Sequence, residues 1–276
     1  MSLMLKLFAT ILTLSSLVYA DASNQEVEEF LKKIFAGNQS IKSLNVKVSS
    51  VTDVKGHDDW KAYYVEFDAI LKKDSRQVVQ KMVWFSNGEV IAKEIFDLEQ
   101  AKDMNEMVSL PMKPEHYKKE NLIYGNENAK HKVAIFSDPL CPFCRTFVPE
   151  ALEYMKKEPN KFAVYYYHFP LETLHPAAVE LVKAAVALEK KGVKDVVLKL
   201  YKVNIDPKQR SNEKILAEFN KVMGSNIQVF DLLSKEVSEH LKSDLDIANA
   251  LMVNGTPTVF FDGVIDRTKM KYKEAK

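Results

Sequence analysis

The hydrophobic positions of the chain change period several times, and those changes divide it. After Ser23-x-x-Glu26, which has the form of a helix capping box, Val27, Phe30, Leu31, Ile34 and Phe35 recur at helical spacing, with Gly37 or Asn38 to end the helix. The period then falls to two. Leu44, Val46 and Val48 alternate with polar residues, and Tyr63, Val65, Phe67, Ala69 and Leu71 line one face of a second run. Residues 78–85 read as a third strand, and Asn87-Gly88 as a hairpin turn into a fourth over 90–96. Polar turns at Lys55-Gly56 and Lys73-Asp74-Ser75 separate the runs. Residues 21–97 thus predict one helix followed by an antiparallel meander, a small α+β domain. Trp60, Tyr63, Tyr64 and Trp84 sit at strand spacing there and read as core rather than as a binding face. His57 beside Asp58 and Asp59 suggests a metal only until its setting, a polar turn, is considered.

Residues 98–122 lose both periods. Met104, Met107, Leu110 and Met112 are interrupted by Pro111 and Pro114, and Lys118-Lys119-Glu120 is charged. That composition suits an interdomain linker with a short helix begun at Pro114. A second domain over 123–276 opens with a polar turn at 126–132 and a buried strand at 132–137. Asp138-Pro139-Leu140 then leads into an amphipathic helix, in which Pro149 should introduce a kink, and 162–169 is the next strand. A long helical stretch follows, with helices over 177–190 (introduced by His175-Pro176), 193–203, 212–223 and 227–252, the last ended by Gly255. Residues 258–261 form a short strand turned by Asp262-Gly263, and the lysine-rich end from Arg267 reads as a short amphipathic or frayed tail.

Composition adds a compartment. Residues 1–20 carry one charge (Lys6), a largely apolar stretch over 7–17, and Val18-Tyr19-Ala20 at their end. This is the form of a cleaved secretory signal peptide, with a mature chain starting near Asp21; an uncleaved anchor is the alternative. Removing the signal takes one lysine and no acid from 39 basic and 38 acidic side chains, leaving the two in balance. A balanced chain has no electrostatic footprint for nucleic acid or an anionic membrane. With 46% hydrophobic residues the chain has ample core material, so its two cysteines are not needed as staples.

Those two cysteines stand together in Cys141-Pro142-Phe143-Cys144, where an apolar run stops and an amphipathic stretch begins. Free backbone N–H groups at a helix start favour a thiolate, the form that attacks disulfides. Haem attachment needs a histidine after the second cysteine, and position 145 is Arg. Zinc needs two further ligands, and the six histidines lack paired metal spacing, so no metal and no cofactor is expected. A structural disulfide across two residues closes almost no loop. Redox exchange is the reading that uses the pair best.

The segment from Phe136 to Cys144, Pro149 eight residues after the first cysteine, and Gly255-Thr256-Pro257 resemble the active site and cis-proline loop of thioredoxin-fold proteins. With the export signal, small N-terminal domain and linker, the chain is most similar to the periplasmic thiol:disulfide interchange proteins of the DsbC/DsbG type. The resemblance implies an N-terminal, cystatin-like dimerisation domain and a C-terminal thioredoxin-like domain with a helical insertion. It implies that Cys141 is the exposed nucleophile, Cys144 the buried resolving cysteine, and Pro257 a cis-proline preceded by Thr256. Pro142, Phe143, Thr256 and Pro257 would then touch substrate. Thr256 favours an isomerase or reductant over a dedicated oxidase, which usually has valine there. The partners implied are unfolded or misoxidised exported proteins, a membrane redox protein and a second copy of the chain. A net disulfide donor of the DsbA kind and a dimeric chaperone with secondary redox activity are the alternatives. Ile135 stands where several relatives carry a buried acid, so a proton acceptor for Cys144 has to come from elsewhere.

Overall fold

A computed structural model describes residues 21–276, so the expected signal peptide lies outside the described residues. The chain divides into two compact units, one ending at Val108 and one beginning at Ser109, inside the stretch expected as linker.

In the first unit α1 (Asn24–Phe35) is followed by β1 (Ile41–Val54), β2 (His57–Leu71), β3 (Gln77–Ser86) and β4 (Ile91–Ala92), an antiparallel sheet in that order. The capping box is present: Ser23 Oγ accepts from Glu26 N, and Glu26 Oε2 accepts from Ser23 N at 2.8 Å. Val27 and Leu31 of α1 pack on Val46, Val48, Tyr63, Val65, Phe67 and Trp84. Tyr63, Tyr64 and Trp84 are buried and Trp60 half-buried, so these aromatics serve mainly as core. The fourth strand is much shorter than 90–96. Asn87 Oδ1 accepts from the N–H groups of Glu89 and Val90, and Ser86 Oγ donates to Val90 O, so the turn takes four residues and the chain soon leaves the sheet. Phe96 and Asp97 form β5 (Phe96–Asp97) against β6 (Lys102–Asp103) instead. Asp97 holds that ribbon by accepting from Gln100 N, and its other oxygen lies 2.8 Å from His57 Nε2. His57 therefore has a structural partner forty residues away.

The second unit is built on a five-stranded sheet. Its strands are β7 (Leu122–Tyr124), β8 (His131–Ser137), β9 (Phe162–His168), β10 (Thr258–Phe261) and β11 (Val264–Ile265), in spatial order β11-β10-β8-β9-β7. β8 and β9 run parallel, joined through α2 (Pro142–Met155), while β10 and β7 run antiparallel to their neighbours. Central β8 and β9 are buried along almost their whole length, which is why they read as continuous apolar runs. Three-residue β7 gave no period to read; it is fixed by pairing with β9 and by Gly125. That glycine has φ +78°, and a Cβ on it would stand 1.9 Å from Phe162 O.

The helical stretch comprises α3 (Pro176–Lys190), α4 (Val196–Leu200), α5 (Asn212–Met223) and α6 (Lys235–Ala250). Two expected helices are shorter than their apolar spacing suggested. The 193–203 segment is helical only over α4, because Asp195 has φ +60° and commits its carboxylate to Tyr124 OH and Lys156 Nζ, each at 2.7 Å. The 227–252 segment breaks at Ser234, whose hydroxyl caps α6 by accepting from Val237 N; a 3-10 turn precedes it. Gly255 does not end α6. Met252 takes the left-handed position (φ +56°), its N–H bonds Asn249 O, and Val253 N bonds Ala248 O, a Schellman ending without glycine. The lysine-rich tail forms α7 (Lys271–Glu274), anchored by buried Tyr272 against the rings of Phe147 and Tyr154.

Where α6 crosses β9, Asp244 is fully buried. It accepts from Asn121 Nδ2 at 2.7 Å and His168 N at 2.8 Å. Burial outweighs those donors and pushes its carboxyl up to about 7. With the folded value above the ordinary one, Asp244 contributes stability at low pH that is lost as pH rises toward 7. The stability margin of the wild type over Asp244→Asn should therefore shrink across that interval, by at most about 1.4 kcal/mol per pH unit. Urea titrations at several pH values check this; a pH-independent margin contradicts it.

Candidate active site

The parallel β8 ends at Ser137, and the chain turns through Asp138-Pro139-Leu140 to place Cys141 at the N-cap of α2. Pro142 occupies the first helical position, where its missing N–H costs nothing. Cys141 makes no side-chain capping bond, so the first-turn N–H groups remain available to a negative sulfur. Phe143 projects outward at 77% exposure and Pro142 is exposed beside it, whereas Cys144, one turn in, is fully buried. Pro149 lies within α2, which continues to Met155.

The register of β10 on β8 pairs Thr258 with Phe136, which sets Thr256 and Pro257 alongside the end of β8. The Thr256–Pro257 bond is cis, and Cys141 Sγ lies 3.6 Å from Thr256 O. The structure thus gathers Cys141, Cys144, Thr256 and Pro257, expected together from sequence, across 115 residues of chain. It corrects one expectation: Cys141 is only 5% exposed, packed among the side chains of β8 and α2 and against the Thr256 carbonyl. Both cysteines are free thiols.

Burial pushes the Cys144 thiol up to about 12, and the hydroxyls of Ser137 and Thr256 and the N–H of Asp138 pull it partly back. Ser137 Oγ and Tyr201 OH share a hydrogen bond of 2.6 Å, and Tyr201 OH and Tyr166 OH one of 2.7 Å. Arg145, one turn beyond Cys141, donates through Nη1 to Pro139 O and Val203 O, tying the loop to the helical stretch. Among the described residues no cluster of His, Cys, Asp and Glu is arranged to hold a metal ion.

Sequence reasoning passed over Asp138 and His175. Asp138 is fully buried three residues before Cys141. Its Oδ1 accepts from Leu140 N at 2.7 Å and Cys141 N at 3.2 Å; its Oδ2 accepts from Leu171 N at 2.7 Å and lies 3.0 Å from His175 Nδ1. One carboxylate therefore fixes the cysteine loop to the start of α3. The signal available was an acid at the end of a buried strand, where a charge survives only if its oxygens are occupied.

A central parallel β–α–β unit, an antiparallel strand entered through a cis-proline, and a Cys-x-x-Cys pair at a helix start define a thioredoxin-like domain. The thioredoxin family model matches residues 117–276, more than half of the chain, and the chain belongs to that family. It is 29% identical over 154 residues to a probable disulfide bond formation protein D of Bacillus anthracis, covering 50% of this chain and 68% of that protein. Among solved structures, a thioredoxin-like oxidoreductase from Silicibacter pomeroyi shares 20% identity, covering 56% of this chain and 94% of the other, with a TM-score of 0.45. Oxidised BdbD from Bacillus subtilis shares 18% identity over 60% of this chain and 93% of its own, also with a TM-score of 0.45.

Proposed function

We propose that the protein is a thiol–disulfide oxidoreductase that rearranges or reduces disulfides in exported proteins. The observation that carries this reading is the placement of Cys141, at a helix N-terminus against the Thr256 carbonyl with Cys144 behind it. In this scheme the Cys141 thiolate attacks one sulfur of a substrate disulfide, a Cys141–substrate disulfide forms, and the other substrate sulfur leaves with the electron pair. A substrate thiol then displaces Cys141, which isomerises the substrate, or Cys144 does so, which reduces it. Pro142 and Phe143 offer exposed apolar surface beside the sulfur.

Thr256 before the cis-proline supports the isomerase or reductant direction. A net disulfide donor is the second reading, favoured by the likeness to the probable disulfide bond formation protein D of Bacillus anthracis. The redox state of the pair in cells separates them, since an isomerase is kept reduced and a donor is recycled oxidised. Export to the periplasm, a membrane redox partner and a dimerising role for the N-terminal unit belong to the same proposal. Solution mass by light scattering tests the dimer.

The decisive experiment is a Cys144→Ala variant expressed in the native cell envelope. Covalent complexes that dissolve on reduction are expected to accumulate on Cys141, and their mass-spectrometric identification gives substrates and redox partner together. If no such complexes form while the variant is present and folded, exchange on exported proteins is excluded.

A further inference from the structure

Cys144 must ionise to act as a resolving thiol, yet it is enclosed completely, and burial opposes its negative form. The groups that meet it come from three elements. Ser137, at the end of β8, presents its hydroxyl, Asp138 its backbone N–H, and Thr256, before β10, a second hydroxyl. The Asp138 carboxylate is not a free base, for its oxygens are occupied by Leu140, Cys141, Leu171 and His175. Thr256 Oγ1 is buried and has no hydrogen-bond partner among the described residues. Behind Ser137 stand Tyr201, at the end of α4, and Tyr166, on β9, in a continuous row of hydroxyls. Burial holds both tyrosines well above the usual phenol range, so they stay protonated and serve as donors rather than bases.

We infer that the Tyr166–Tyr201–Ser137 hydroxyl row, completed by the Thr256 hydroxyl, is a donor pocket for the Cys144 thiolate in the resolving step. This rests on Cys144 acting as the resolving cysteine, as proposed above. Rotation of the hydroxyls lets the row orient in one sense, Tyr166 donating to Tyr201, Tyr201 to Ser137 and Ser137 to the sulfur, so that each bond strengthens the next. Ser137 and Thr256 face the reacting atom; Tyr201 and Tyr166 are positioning residues that act through Ser137. In the step itself, Cys144 sulfur attacks Cys141 sulfur of the mixed disulfide. The Cys141–Cys144 bond forms, the Cys141–substrate bond breaks, and the electron pair leaves on the substrate sulfur. That sulfur takes up a proton equivalent to the one Cys144 released. The protein pair is oxidised, the substrate is reduced, and no external base is consumed.

Dithionitrobenzoate, a small disulfide with a coloured leaving thiolate, reads the two steps separately in the reduced protein. The first release reports Cys141 and the second Cys144, whatever the physiological substrate. Tyr201→Phe and Ser137→Ala should leave the first phase within about twofold and slow the second about tenfold, the weight of one hydrogen bond to a charged acceptor. Below the Cys144 pKa both second phases should speed up with pH while the deficit stays constant, because losing a donor lowers the thiolate fraction there by a fixed factor. A second phase at the wild-type rate in both variants overturns the inference, and so does equal slowing of both phases, which marks mere structural damage. Should Ser137→Ala fail to fold, Tyr201→Phe carries the test alone. If the wild type releases both colours yet leaves protein disulfides untouched, the proposed function falls and the pocket stands.

Discussion

Cys141→Ala is expected to leave the protein folded and reduce repair of a scrambled, multiply disulfide-bonded substrate to the uncatalysed rate. The chain contains no third cysteine, and the fully buried Cys144 cannot meet a protein substrate itself. The loss therefore has no route of compensation. The structural effect is small because the Cys141 side chain caps nothing and its loop is held by other groups. A stability change of about 1 kcal/mol, the scale of a small buried truncation, is the expected ceiling. Reactivation kinetics and urea denaturation on the same preparation check both halves. Activity retained in a folded variant would remove Cys141 from the mechanism.

Asp138→Ala should do the reverse, costing stability first. The carboxylate occupies a fully buried position and receives backbone N–H groups from Leu140 and Leu171, which have no substitute when it is removed. Cys141 N is better protected, since it also lies 3.2 Å from the Asp138 carbonyl. Orphaning two such donors and the His175 contact is expected to cost about 3–5 kcal/mol. Because the same bonds hold the turn into α2, surviving folded protein should also react more slowly through Cys141. Chemical denaturation gives the first quantity and the fast phase of a small-disulfide reaction the second. A variant within about 1 kcal/mol of the wild type would show that water replaces the carboxylate.

Much of the architecture was legible because local chemistry and burial agree. Ser23 and Glu26 announce α1 wherever that helix packs, and the apolar runs of β8 and β9 can only be strands buried on both faces. Failures fall where a distant group decides. Asp195 delays the start of α4, at φ +60° with its carboxylate claimed by Tyr124 and Lys156, and Met252 ends α6 in a position normally left to glycine. β7 exists only as a partner of β9. At the site, the motif was visible and its support was not. Asp138 stands in a turn between strand and helix, and Tyr166 and Tyr201 fall within an expected strand and an expected helix with no local mark of a role.

By itself the sequence determined that a close-spaced cysteine pair sits at a helix start, and its resemblance to thioredoxin-fold proteins joined Thr256-Pro257 to that pair. A spacing of two residues and a strand-to-helix transition are local properties, which the chain carries without help from its fold. Tertiary structure alone decided how that pair is served. The β10–β8 register brings Thr256 against Cys141, which is left 5% exposed. The convergence of β8, β9 and the end of α4 aligns Ser137, Tyr201 and Tyr166 in one hydrogen-bonded row. Hydrogen bonds between residues 35 and 64 positions apart have no local signature, because their energy exists only once burial has removed the competing water.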